Sequence, residues 1–208
     1  GQVYPLPTQK SFTFLFVGGT IYRKGFDLLL KAYQEAFSAQ DDVALVIKSF
    51  GTDSHYALMS MQDERRQLNS PEIVLIEEDL SAEEMASLYR SCDVYVHPYR
   101  GEGFGMPILE AMASGLPVIV PNAGPAPEFC SQASGWYLPT RIQFENSRDV
   151  QGLGLAVGQP YFTEVDLTIL AQVMKEAASD PDLCHKKGQK AVQEAQNYAW
   201  EVIFTELK

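Results

Sequence analysis

Short apolar runs alternate along this chain with segments whose apolar residues recur every three or four positions. The runs predict parallel strands buried on both faces, and the recurring spacing predicts helices between them. The predicted strands cover residues 12–17, 43–47, 73–76, 94–96 and 116–120. Alternating strands and helices are typical of a parallel sheet built from βαβ units.

The segments between the strands carry helical spacing and recognisable helix starts. Helices are predicted over residues 26–37, 56–68 and 106–114, and a further helix begins after residue 81. Ser81 is expected to cap that helix, with Glu84 completing a capping box. Leu80 is expected to pack on Met85 as a hydrophobic staple across the same helix start.

The last third of the chain carries weaker signals. A short sixth strand is predicted over residues 136–138, followed by an irregular loop over 140–160. Three helices are then predicted to close the chain, over residues 164–179, 183–198 and 200–207. Asp180 and Pro181 are expected to break the first of these helices from the second.

Together these elements predict an α/β fold, a doubly wound Rossmann-like sheet with strand order 3-2-1-4-5. In such folds, ligands bind beyond the carboxyl ends of the strands, at the point where the winding reverses. With this order, that point lies between the first and fourth strands. Two glycine-rich loops, residues 18–25 and 98–105, are therefore expected to face each other across a crevice.

Composition narrows the classes of function. The 208 residues are expected to form a single domain, closed by helices over about 164–208. The net charge of −11 argues against a nucleic-acid-binding protein. No apolar run is long enough to span a membrane, and the start of the chain lacks a signal-peptide pattern. Cys92, Cys130 and Cys184 are odd in number and scattered, which favours reduced thiols and a cytoplasmic setting.

The strongest chemical signal is the segment from Glu102 to Glu110, which links the fourth strand to the next helix. Its glycines let a ligand approach the backbone closely, and the helix start offers unpaired amides to a phosphate group. A carboxylate at Glu110 can accept hydrogen bonds from ribose hydroxyls, and one at Glu102 can accept them from a sugar. The plainer alternative makes Glu110 a solvated helix residue and the glycines a simple turn.

The same segment resembles the donor-binding half of the retaining GT-B glycosyltransferases of family 4. Glu102-Gly-Phe-Gly-Met-Pro-Ile-Leu-Glu110 matches the family pattern E-G-F-G-x-P-x-x-E at every defined position. The family resemblance extends to residues 110–119 after this segment, to residues 91–98 before it and to residues 16–25 near the start of the chain. The resemblance covers about residues 12–129 and, more loosely, the helices that follow.

This resemblance implies roles for individual residues. Lys24 would neutralise the diphosphate of a nucleotide-sugar donor, and Glu102 would contact the donor sugar, which makes these two the catalytic residues. Glu110 would hold the ribose, and the backbone of Gly103, Phe104 and Gly105 would face the sugar and the diphosphate. The full set implied to bind the donor is Gly18, Gly19, Lys24, Leu80, Gly103, Phe104, Gly105, Met106 and Glu110. The family usually needs no metal, so no cofactor is expected beside the UDP- or GDP-linked sugar.

The chain departs from the family pattern at one position. Family members carry an arginine in a G-R-x-x-x-x-K-G segment, and here Gly19 occupies the place of that arginine. Arg23 is expected to point elsewhere on the turn; if it does not, it substitutes for the missing arginine. Otherwise phosphate binding is weaker or catalysis is reduced. His97 is expected either to line the site or to be a satisfied buried histidine.

The resemblance also implies a partner domain. GT-B enzymes have two Rossmann-like domains, and this chain is expected to hold only the second, without the domain that binds the acceptor. Alone it would bind donor but transfer a hexose poorly, and any peripheral membrane contact would come through the missing half. The alternative from another class is a non-catalytic module that binds a nucleotide sugar or serves as a scaffold.

Overall fold

A six-stranded parallel sheet in the order β3-β2-β1-β4-β5-β6 forms the centre of the molecule. The computed structural model describes residues 3–49, 69–145, 157–199 and 202–203. The strands are β1 (Phe12–Val17), β2 (Val43–Lys48), β3 (Glu72–Ile76), β4 (Val94–Val96), β5 (Val118–Pro121) and β6 (Gly135–Leu138). The doubly wound α/β fold and the order of the first five strands are therefore confirmed.

The central strand β1 explains why the first apolar run is continuous. It pairs in parallel with β2 on one side, where Phe12 lies opposite Val43, and with β4 on the other, where Phe14 lies opposite Val94. All six of its residues are buried. The winding of the sheet reverses between β1 and β4, so the two loops that leave these strands meet above that point.

Helices cover both faces of the sheet. They are α1 (Phe26–Ala36), α2 (Ala82–Arg90), α3 (Met106–Ala113), α4 (Ala126–Phe129), α5 (Leu167–Ser179) and α6 (Pro181–Ala195). Successive side chains of β1 point to opposite faces. Phe14 and Phe16 therefore pack in one core cluster with residues of α1 and α5. Leu15 and Val17 pack in a second cluster with residues of α2, α3 and α6.

The start of α2 is built as its sequence predicts. The Ser81 hydroxyl accepts a hydrogen bond from the Glu84 amide at 3.3 Å, and the Glu84 carboxylate accepts one from the Ser81 amide at 2.8 Å. This reciprocal capping box is confirmed. Leu80 and Met85 are half-buried, and both pack against the second core cluster, which contains Leu15 and Val17.

The prediction of an irregular loop over residues 140–160 is wrong in its first part. Strand β7 (Thr140–Phe144) pairs antiparallel with β8 (Tyr161–Val165), outside the main sheet. Glu164 was expected to begin a helix, but it lies in β8, and α5 begins three residues later. The Asp166 side chain sets that boundary, because it accepts hydrogen bonds from the amides of Thr168 and Ile169.

Other boundaries differ less. Helix α6 begins at Pro181, because the Asp180 carboxylate caps it by accepting a hydrogen bond from the Leu183 amide at 2.9 Å. A 3-10 turn, Gln196–Tyr198, replaces the end of the predicted helix. Leu116 lies before β5, because its amide closes the end of α3 on the Ala111 carbonyl.

Some predictions fall on residues outside the described ranges. The helix predicted over 56–68 lies there entirely, and of the last predicted helix only Val202 and Ile203 are described, both helical. The three cysteines are free and buried. Within the described ranges, no helix combines the length and apolar character needed to cross a membrane.

Candidate functional site

The loops after β1 and β4 touch at the reversal point of the sheet. In the β1–α1 loop (residues 18–25), the Arg23 carbonyl accepts hydrogen bonds from the amides of Arg100 at 2.8 Å and Gly101 at 3.2 Å. Gly25 adopts the left-handed conformation with φ 69°, and an added Cβ there would lie 1.9 Å from the Pro98 carbonyl oxygen. Only glycine allows the two loops to approach this closely.

A 3-10 turn in the β1–α1 loop, Tyr22–Lys24, directs a lysine into the crevice. The Lys24 ammonium forms a very short contact with the Glu102 carboxylate, in the β4–α3 loop (residues 97–105). The two side chains are only 12% and 9% exposed, respectively. The structure thus brings together the two residues that the sequence predicts to be catalytic, and it pairs them with each other.

Arg23 also points toward this crevice. Its Nη1 donates a hydrogen bond to the Gly101 carbonyl at 3.3 Å and lies 3.9 Å from Glu102 Oε2. The expectation that Arg23 points elsewhere on the turn is therefore wrong. The close approach of the two loops is the reason, because it places the Gly101 carbonyl and the Glu102 carboxylate within reach of the Arg23 guanidinium. Two cations consequently flank one carboxylate.

The N-terminus of α3 comes directly after the β4–α3 loop, at Met106. Gly105 precedes it with φ 85°, and a Cβ there would lie 3.1 Å from the Ile108 side chain, so this position also favours glycine. Within the described ranges, the amides of Phe104 and Met106 have no hydrogen-bond partner, and Pro107 has no amide hydrogen. The helix therefore presents its positive end and free donors to the crevice, which suits an anion.

Glu110 stands on the exposed side of α3, one turn further along. Its Oε2 accepts a hydrogen bond from the Tyr89 hydroxyl at 2.9 Å. On its other flank a recess of about 330 Å³ opens between α3 and α6, lined by apolar side chains that include Met106, Leu109 and Val192. A ligand therefore has free space beside this carboxylate.

His97 occupies the floor of the crevice, completely buried. Its Nδ1 lies 3.3 Å from the Tyr95 hydroxyl. Its Nε2 lies 3.9 Å from Glu102 Oε2 and has no hydrogen-bond partner among the described residues. Burial, followed by the nearby charges of Lys24 and Arg23, lowers the pKa of His97 to about 3. The histidine is therefore neutral at pH 7 and is satisfied only at one nitrogen.

The remaining predicted residues take different positions. Gly18 follows β1 and its amide donates to the Lys48 carbonyl at 3.0 Å; Gly19 comes next and is half-buried, and a Cβ there would lie 3.9 Å from the Ile21 side chain. The Gly103 amide donates to Glu102 Oε1 at 3.0 Å, so it helps to orient that carboxylate. Leu80 lies in the loop before α2, half-buried, and packs against the core cluster that contains Leu15 and Val17.

The sequence did not indicate a role for Arg100, a residue of the β4–α3 loop that anchors this loop to α1 and β8. Its buried guanidinium forms a bidentate pair with Asp27 at 2.6 and 2.8 Å. It binds Glu164 at 2.6 and 3.0 Å and lies 3.7 Å from the centre of the Tyr22 ring. Burial alone would lower the pKa of Arg100, but these carboxylates outweigh it and raise the pKa. No local pattern marks this residue, because its partners lie 73 and 64 positions away.

The family model described as "Glycosyl transferases group 1" matches residues 5–150, more than half of the chain. A GDP-mannose-dependent alpha-mannosyltransferase from Corynebacterium glutamicum is 35% identical over 109 residues, covering 52% of this chain and 23% of that protein. The chain spans between about a fifth and two fifths of the length of the curated relatives it matches.

Solved structures share the fold. A sucrose-phosphate synthase from Thermosynechococcus elongatus superimposes with a TM-score of 0.71 at 20% identity, covering 97% of this chain and 45% of that one. The C-terminal domain of a glycosyl transferase group 1 family protein (LpcC) from Francisella tularensis gives a TM-score of 0.67 at 20% identity. That match covers 93% of this chain and 94% of the other, so a domain of this architecture has been crystallised by itself.

Proposed function

Because this chain belongs to the group 1 glycosyl transferases, we propose that it is the donor-binding domain of a retaining enzyme that transfers a hexose from a nucleotide diphosphate sugar. The observation that carries the proposal is the meeting of Lys24 and Glu102 at the reversal point of the sheet. The free amides at the start of α3 adjoin the same crevice.

The diphosphate is proposed to bind between the β1–α1 loop and the N-terminus of α3. Lys24 and Arg23 supply two positive charges, and the amides of Phe104 and Met106 supply uncommitted donors. Negative charge develops on this group as the glycosidic bond breaks, and fixed positive groups in a shielded site stabilise such charge strongly. In this arrangement Arg23 substitutes for the arginine that Gly19 replaces.

The donor sugar is proposed to bind Glu102. In this structure the carboxylate is satisfied by Lys24 and by the Gly103 amide. Donor binding would exchange the Lys24 ion pair for two new contacts, from a sugar hydroxyl to Glu102 and from Lys24 to a phosphate oxygen. Each buried side chain keeps a partner in this exchange, since Glu102 accepts from the hydroxyl and from the Gly103 amide while Lys24 pairs with the phosphate.

The nucleoside is proposed to bind on the opposite side of the diphosphate from the donor sugar. Glu110 accepts the ribose hydroxyls, and Leu80 contacts the base from the loop before α2. The name of the Corynebacterium relative, a GDP-mannose-dependent enzyme, favours a GDP-linked donor. A UDP-linked donor is the alternative. The acceptor is proposed to bind a second domain outside this chain, so this domain alone binds donor and transfers poorly.

Calorimetric titration of this chain with GDP, UDP and ADP tests the proposal. We expect one nucleotide to bind, and Glu110→Ala to abolish or strongly weaken that binding. Glu35→Ala is the matched control, because Glu35 is equally exposed but lies on α1, which packs on the opposite face of the sheet. If none of the three nucleotides binds, the proposed donor site is wrong.

Gly19 favours a second candidate, a module that binds the donor without catalysing transfer. Titration of Arg23→Met with GDP and GMP, or with UDP and UMP, separates the two candidates. If Arg23 contacts the diphosphate, its loss weakens binding of the diphosphate by about tenfold more than binding of the monophosphate. Equal effects on both nucleotides would leave the site with Lys24 as its one phosphate-binding side chain and would favour the binding module.

A further inference from the structure

A tyrosine of the neighbouring helix holds the proposed ribose-binding carboxylate. Tyr89 lies near the end of α2 and is only 2% exposed. Its hydroxyl donates to Glu110 Oε2 at 2.9 Å across 21 positions of sequence. Neither the proposed donor site nor the family resemblance uses this contact.

An exposed glutamate by itself is a poor recognition group. Its side chain rotates about three bonds, and a ligand that fixes it must offset the lost freedom. A hydrogen bond to one oxygen restricts that rotation before the ligand arrives. It also leaves the other oxygen, and one lone pair of the bound oxygen, free to accept two neighbouring ribose hydroxyls.

Tyr89 is well placed to impose this restriction. Its ring packs in the core cluster beneath α2 and α3, with its centre 6.2 Å from that of Tyr95. Its hydroxyl therefore has little room to move. Burial, followed by the charges of its neighbours, raises the pKa of Tyr89 well above its ordinary value, so the group stays a donor over the whole working pH range.

We propose that Tyr89 is a positioning residue that orients Glu110 for the ribose and thereby makes the site select ribonucleotides over deoxyribonucleotides. The inference rests on the proposed donor site. It makes a specific claim, that the contribution of Tyr89 to binding passes entirely through Glu110 and the ribose hydroxyls. A tyrosine that served only to pack the core would affect every ligand alike.

The test is a calorimetric titration of the chain and of Tyr89→Phe with GDP, UDP and their 2′,3′-dideoxy forms. We expect Tyr89→Phe to weaken binding of the ribonucleotide by about tenfold, since a hydrogen bond to a charged group is lost. Binding of the dideoxy form should stay within about twofold of the unaltered chain. In the Glu110→Ala background, Tyr89→Phe should have no further effect on ribonucleotide binding.

Tyr33→Phe is the matched control, because it removes another buried tyrosine hydroxyl, one bound to the Glu72 carbonyl on the far side of the sheet. It should leave the preference for ribonucleotides unchanged. If the unaltered chain binds no nucleotide, the proposed function fails and this inference fails with it. If it binds and Tyr89→Phe retains full preference for the ribonucleotide, the inference alone is overturned. A twofold or smaller difference between ribose and dideoxyribose in the unaltered chain overturns it as well.

Discussion

Two glutamates eight residues apart, Glu102 and Glu110, occupy opposite environments in one site. Glu102 is enclosed, with a side chain 9% exposed, and contacts Lys24, Arg23 and its own neighbouring amide. Glu110 is exposed and has one neutral partner, the hydroxyl of Tyr89. The first carboxylate is part of a charge network that a ligand must rearrange. The Glu110 carboxylate is oriented by the Tyr89 hydroxyl and keeps lone pairs free to accept hydrogen bonds from a ligand.

This contrast assigns the two glutamates different roles: Glu102 should contribute to the stability of the fold, and Glu110 to binding of the ligand. A charged group inside a protein is costly unless it is paired, so removing a partner of Glu102 should destabilise the fold. An exposed carboxylate costs little to remove, so the contribution of Glu110 should appear in binding. The following predictions test this division, from the largest expected effect to the smallest.

Gly25→Ala should have the largest effect, because it separates the two loops that enclose Glu102. The new Cβ would overlap the Pro98 carbonyl at 1.9 Å, and φ 69° is unfavourable for alanine. We expect a loss of about 4 kcal/mol in the free energy of unfolding, measured with urea. Gly101→Ala is the control, since a Cβ there meets nothing within 4 Å. Equal losses in both variants would show that the close approach of the loops is not the cause.

Lys24→Met should destabilise the fold by about 2–3 kcal/mol, because it leaves Glu102 enclosed with only the more distant Arg23 to balance its charge. Urea denaturation of the single variant and of Lys24→Met with Glu102→Gln provides the measurement. The double variant should recover about half of the loss, since the unpaired charge is gone. A double variant no more stable than the single one would refute the charge-network interpretation.

The buried histidine beneath Glu102 predicts a pH effect. The pKa of His97 is about 3 in the folded chain and about 6.5 when unfolded. Because only the unfolded state binds this proton between those values, stability falls as the pH drops below about 6.5. This histidine should remove about 2 kcal/mol between pH 7.5 and pH 5, measured as the difference between the chain and His97→Leu. Parallel stability profiles for the two proteins would contradict the prediction.

Glu110→Ala should have the smallest effect on stability, about 1 kcal/mol, arising from the Tyr89 hydroxyl that it leaves without its partner. Thermal or urea unfolding measures it, and Tyr89→Phe in the same chain should remove most of that cost. The same Glu110→Ala variant should nevertheless bind the nucleotide much more weakly. A loss of stability as large as that of Lys24→Met would mean that Glu110 belongs to the structural network instead.

Much of this site could be predicted because its parts are adjacent in sequence. The segment from Glu102 to Glu110 contains its own helix start at Pro107 and its own tight turn at Gly105. The alternation of elements predicted a parallel sheet, whereas the order of its first five strands was assumed from doubly wound folds and is confirmed. Strand β7 escaped prediction because its residues are largely exposed and carry no buried face. Its pairing with β8 depends on contacts that no local pattern records.

The direction of Arg23 could not be predicted for a related reason. It depends on the Gly101 carbonyl and the Glu102 carboxylate, which lie 78 and 79 positions away in the chain. Arg100 is similar, since it joins α1, β8 and the β4–α3 loop through Asp27 and Glu164. A single basic residue beside a glycine-rich loop carries no sign of such partners.

The sequence alone determined the strands of the parallel sheet, the capping box of α2 and the chemical character of the β4–α3 loop, because periodicity and capping act over a few residues. Tertiary structure decided that Lys24 and Arg23 converge on Glu102, that His97 Nε2 finds no hydrogen-bond partner among the described residues, and that Tyr89 holds Glu110. These contacts depend on how β1 and β4 align and how α2 lies against α3. That geometry is fixed by packing of the whole core, to which residues distant in sequence contribute together.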